Sequence, residues 1–78
     1  MNDIEKVRAL LPHWVEHNEE HAVEFLRWAG KASQAGHEEA AQFIRRAAEE
    51  MRQANETLRL ALEGLGGPVA VGLPSDAH

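Results

Sequence analysis

Apolar residues recur at intervals of three and four in two long stretches of this chain, the spacing that lines one face of a helix. The first stretch opens at Asn2, where Asn2 and Glu5 have the arrangement of a capping box. Ile4, Val7, Leu10 and Leu11 follow on one face. Pro12 interrupts: it lacks an N–H and disfavours helical backbone at the residue before it. It predicts the first residue of a new helix, or a kink. From Pro12 the pattern runs to about Ala35. At about 100° per residue, Leu11, Trp14, Phe25, Trp28, Ala29 and Ala32 share an apolar arc. Asn18 and His21 fall inside that arc, His17 lies at its edge and His13 further round. Glu16, Glu19, Glu20, Arg27 and Lys31 take the opposite face. Ser33-Gln34-Ala35-Gly36 predicts the end of the helix, with Gly36 suited to a left-handed cap.

The second stretch starts near His37 and runs to about Glu63, with Glu38 and Glu39 placed well for a helix N-terminus. Its apolar stripe reads Ala40, Phe43, Ala47, Met51, Ala54, Leu58, Ala61, Leu62 and Leu65, and Glu50 is an acid inside it. Gly64 is the predicted stop. The last 15 residues, GLGGPVAVGLPSDAH, carry four glycines and two prolines and cannot continue a helix. The expected organisation is a helical domain over 1–65 and a flexible tail over 66–78. Two long helices joined by a short turn make an all-α antiparallel hairpin. Val23, Leu26 and Ile44 leave apolar surface to spare. Two hairpins are therefore expected to pair into a four-helix bundle, a homodimer of C2 symmetry or a higher homo-oligomer.

Length sharpens that expectation. A chain of 78 residues is one domain, and at this size roughly 60% of the unfolded surface is buried. Such a fold needs a staple. With no cysteine, the choice narrows to a metal held by nitrogen and oxygen ligands, a second subunit, or both. The formal charge is −5, with both signs mixed and no basic block, which argues against nucleic acid. No apolar run approaches the roughly 18 residues of a membrane span, and the first residues have no signal-peptide core. A cytoplasmic location is expected. The short apolar run Val69–Leu73 is where a protein partner could meet the tail.

The candidate chemistry lies in LPHWVEHNEEHA, residues 11–22. His13, His17 and His21 are each four apart, so their imidazoles stack one turn above another, and such a pair is a known helical metal-binding unit. With the turn centred near Ala35, His21 is level with Glu49 or Glu50, and His17 with Gln53 or Ala54. The expected site is His17, His21 and Glu50, with His13 as a possible fourth ligand. A nitrogen-rich set with one carboxylate suits nickel, cobalt or zinc, iron less well, and not magnesium or calcium. Asn18 and Glu24 could orient the imidazoles, and Trp14 and Trp28 could shield them. The competing reading is a structural or adaptor hairpin, its histidines buried as hydrogen-bonders that set helix register. His37 reads as a helix-start residue and His78 as a terminal one.

No catalytic constellation stands out: there is no Ser-His-Asp set, cysteine nucleophile or phosphate-binding loop. A two-helix ferritin-like iron oxidase is the third reading. The Glu-x-x-His pattern of di-iron bundles fails at His21, where Asn18 replaces the acid, so a non-enzyme is expected.

The run Leu11-Pro12-His13-Trp14-x-x-His17-Asn18-x-x-His21-Ala22, followed by an acidic, alanine-rich second helix, resembles a small uncharacterised family of bacterial and archaeal helical-hairpin domains. That family is found alone or beside nickel and cobalt uptake components. The resemblance covers roughly Leu10 to Leu62 and implies a transition-metal role, with nickel or cobalt favoured.

Overall fold

The computed structural model describes residues 2–69. They form two helices, α1 (Asp3–Gln34) and α2 (Glu38–Gly64), packed antiparallel along their length. The molecule is a slab of 51 × 25 × 15 Å, two helices wide and one thick. Among the described residues no helix is long and apolar enough to cross a membrane.

The capping box forms as its residues predict: Asn2 Oδ1 accepts from the Glu5 N–H at 2.8 Å, and Glu5 Oε1 accepts from the Asn2 N–H at 3.3 Å. Pro12 does not begin a new helix. α1 is a single helix with Pro12 inside it, although proline removes one hydrogen bond of the ladder. The packing of α1 on α2 on both sides of that point holds the helix continuous, with Leu11 buried beside it.

Both helices end on the same device. Gly36, at φ +90°, donates to the Ser33 carbonyl, and the His37 N–H reaches the Ala32 carbonyl at 2.9 Å. Gly66, at φ +99°, donates to the Glu63 carbonyl, and Gly67 reaches the Leu62 carbonyl at 2.9 Å. This is the Schellman arrangement, which needs a left-handed residue and so selects glycine. Gly36 is the predicted cap. At the second end Gly66 takes the role, and Gly64 remains helical. Arg8 then draws the following residues back onto α1, its Nε and a terminal nitrogen donating to the Gly67 and Pro68 carbonyls at 2.8 and 3.3 Å. Within the expected flexible tail, Gly67 and Pro68 are therefore bonded to α1; residues 70–78 fall outside the described residues.

The seam between the helices follows a heptad. On α1 it runs Leu11, Val15, Asn18, Ala22, Phe25, Ala29, Ala32; on α2 it runs Ala41, Ile44, Ala48, Met51, Asn55, Leu58, Leu62. All are buried or half-buried. Spacings of three and four alternate without a break, as in a coiled-coil seam. The register is fixed by the bond from Asn18 Nδ2 to Asn55 Oδ1 at 2.9 Å. Counting outward from it, Ala22 stands level with Met51, Phe25 with Ala48 and Ala29 with Ile44, so large faces small over the middle of the seam.

This seam corrects both predicted stripes. Trp14 and Trp28 are 42% and 51% exposed and Phe43 61%; Ala40, Ala54, Ala61 and Glu50 are also exposed. The apolar residues most deeply buried are Leu11 and five alanines: Ala9, Ala22, Ala29, Ala41 and Ala48. Helix backbones approach closely where side chains are small, and of the aromatic rings only Phe25 stays in the seam while Trp14, Trp28 and Phe43 are turned aside.

Candidate metal site

His13, His17 and His21 stand on successive turns of α1. His17 and His21 are exposed, and His13 is half-buried. None of them lies in the seam, so the reading of the ladder as core hydrogen-bonders does not fit their burial. The rings of His13 and His17 meet edge to face with centres 4.4 Å apart. His17 and His21 are 6.3 Å apart, and His21 and Phe25 6.4 Å. Two imidazoles that share one ion through nitrogens at about 2.1 Å place their ring centres on the order of 5 Å apart. The two histidine spacings fall on either side of that value. His17 belongs to both pairs.

The acid expected to join them stands elsewhere. Glu50 is exposed on α2, 3.6 Å from Arg46 on its own helix. Matching residues about a turn at Ala35 puts Asn18 opposite Arg52, whereas the helices pair Asn18 with Asn55. The offset is almost a full helical turn, and it puts His21 level with Arg52 rather than with Glu50. Among the described residues no three of His, Asp and Glu are gathered where they could hold a metal ion. The ladder brings imidazoles together in pairs; among the described residues it does not close a set of three.

The flanking residues have other occupations. Glu24 Oε1 accepts from Trp28 Nε1 at 2.9 Å and sits 3.5 Å from Arg27, whose guanidinium, like Lys31, lies over the Trp28 ring. Glu24 thus orients Trp28 rather than an imidazole. Asn18, expected beside the histidines, belongs to the seam. There Asn55, wholly buried, donates to the Val15 carbonyl at 3.2 Å and to Glu19 Oε1 at 3.1 Å, while Arg59 stands 3.7 Å from the same carboxylate. Residue-type reasoning missed Asn55 because the predicted stripe placed the polar intrusion at Glu50, one and a half turns earlier. The signal was present as two asparagines at seam positions of two heptads.

The model for a domain of unknown function, DUF8180, matches residues 7–65. The chain belongs to this family. The DUF8180 match takes in the whole histidine ladder and all of α2. An uncharacterized protein of the archaeon Archaeoglobus fulgidus is 40% identical to this DUF8180 chain over 63 residues, 81% of this chain and 100% of the archaeal one. The archaeal protein is thus a hairpin-sized relative with no further domain. No solved structure matches the DUF8180 chain.

Proposed function

We propose that this protein binds a divalent transition metal, nickel, cobalt or zinc, through the histidine ladder of α1, and that it serves in handling that metal by buffering, delivery or sensing. One observation carries the reading: three imidazoles stand on consecutive turns, outside the seam, at separations that bracket the spacing of two rings on one ion. Neutral imidazole is a ligand common to all three metals. None of the three stands in the seam. Because one chain supplies pairs rather than a closed set, the remaining ligands are water, a second chain or the molecule that receives the metal. That open coordination suits transfer better than permanent storage.

The test is calorimetric titration of chelator-treated protein with Ni, Co and Zn, on the wild type and on His17→Ala. His17 is shared by both pairs, so its loss is expected to weaken sub-micromolar binding by at least about tenfold, the cost of one good ligand. Absence of binding by the wild type, or equal binding by His17→Ala, would remove the proposal. His17 is exposed, so the variant is expected to melt with the wild type when metal-free.

A further inference from the structure

We infer that a second copy of this chain covers one broad side of the slab, with α1 of each copy lying over α2 of the other, and that this seating brings the partner's Glu50 beside His21. The part that concerns Glu50 rests on the metal reading above; the seating does not.

The argument starts from two heptad stripes that the seam leaves out. Trp14, His21 and Trp28 are seven apart on α1 and exposed. Ala40, Ala47, Ala54 and Ala61 are seven apart on α2, and three of the four are exposed. At about 100° per residue each stripe lies roughly 50–110° round from its own helix's seam, in the same rotational sense. In antiparallel helices that sense leads to the same side of the slab. The opposite side holds the charged contacts, Arg59 with Glu19 and Arg45 with Glu38. One side therefore carries a ridge of bulky rings next to a trough of alanines, with Glu24 and Glu50 at its margins, and the other carries the Arg59–Glu19 and Arg45–Glu38 contacts.

Such a side is complementary to itself. A two-fold axis along the helices lays the ridge of one copy into the trough of the other and keeps every residue at its own level. In the register set by Asn18 and Asn55, Trp14 then meets the partner's Ala61, His21 the partner's Ala54 and Trp28 the partner's Ala47, each with the same small offset of about 3 Å along the axis. A two-fold axis across the helices instead stacks tryptophan on tryptophan and leaves alanine facing alanine over a gap, which close packing disfavours. The side measures 51 × 25 Å, above the roughly 800 Å² that each partner contributes to a stable interface. The hairpin also has the need: its most buried apolar residues are one leucine and five alanines, while both tryptophans and Phe43 remain exposed.

The seating has a consequence for the ladder. Glu50 lies two residues from the level of His21, on the far side from Ala54, and round the same side of its helix. The neighbour thus offers a carboxylate about 3 Å along the axis from the level of His21.

Sedimentation equilibrium of the full chain is expected to give a dimer. Ala54→Glu, at a position exposed in the hairpin, is expected to leave the helical circular dichroism intact and weaken the dimer by at least about tenfold. A wild-type monomer, or a variant that dimerises as tightly, overturns the seating. The ligand arrangement is tested by mixing His21→Ala with Glu50→Ala, each weakened in Co binding when alone. A mixed dimer rebuilds one of two sites if His21 and Glu50 come from different copies, and none if they come from the same copy. Recovery of about half the binding among mixed dimers supports the arrangement; no recovery overturns it. A wild-type dimer that takes up no Co at all removes the metal reading and the role of Glu50, and leaves the seating confirmed by the Ala54→Glu arm.

Discussion

Asn55 is the largest side chain of the hairpin to be wholly buried, and each of its bonds runs to α1. It accepts from Asn18 and donates to the Val15 carbonyl and to Glu19. A buried amide left without partners costs about 1–3 kcal/mol, so Asn55→Ala, which strands Asn18 and empties a volume in the seam, is expected to destabilise by about 2–3 kcal/mol. Urea denaturation checks this, and a midpoint unchanged from the wild type would refute it. The double replacement of Asn18 and Asn55 by leucine is a different case. Apolar pairs at such positions commonly match or exceed the polar pair in stability while giving up register. At this scale the sequence was legible in part. The capping box and the Gly36 cap follow from local chemistry and could be read directly. The asparagine pair depends on which residues face each other across 37 positions, and a one-residue error in the stripe of α2 hides it.

The two helices were legible as elements, and their facing sides were not. Counting large apolar residues selects Trp14, Trp28 and Phe43, because bulk dominates any sum of hydrophobicity. The helices close instead on Ala22, Ala29, Ala41 and Ala48, where the backbones approach most nearly. Pro12 misled for a related reason: one lost ladder bond is a local cost, whereas the helix is held by packing along 32 residues. The turn between the elements adds an electrostatic latch. Ser33 Oγ donates to Glu38 Oε2, and Arg45 stands 3.2 Å from the other oxygen. These two hydrogen bonds, Ser33's first, hold the Glu38 carboxyl below its ordinary value of 4.5. A depressed carboxylate contributes stability that is present above the unfolded value and is lost as pH falls through the folded one. Melting of wild type and Glu38→Gln should therefore differ at pH 6, and the difference should shrink as pH falls below 4.5 and through the lowered folded value. A difference that stays constant throughout acid titration would place the effect elsewhere.

As a whole molecule the hairpin is held at both ends. One end is the turn. At the other, Arg8 binds the carbonyls of Gly67 and Pro68, across 59 and 60 positions of sequence, and so ties the segment after α2 to the first turns of α1. Hydrogen bonds from a charged donor are worth about 1.5–3 kcal/mol when buried and less where water competes. Arg8→Ala is expected to lower overall stability by no more than about 1 kcal/mol while raising hydrogen exchange at residues 66–67 toward solvent rates. Protection there equal to the wild type would show that the glycine turn alone fixes the segment. Composition pointed to this scale correctly in one respect: a chain this short without cysteine makes only a thin core.

The alanine seam has a kinetic corollary. Helices that close on methyl groups leave no interior for a ligand to enter, and everything this protein recognises must arrive at its outside. In the proposed dimer the surface around His21 lies between two copies, so uptake and release there would be paced by separation of the copies rather than by any opening of the hairpin.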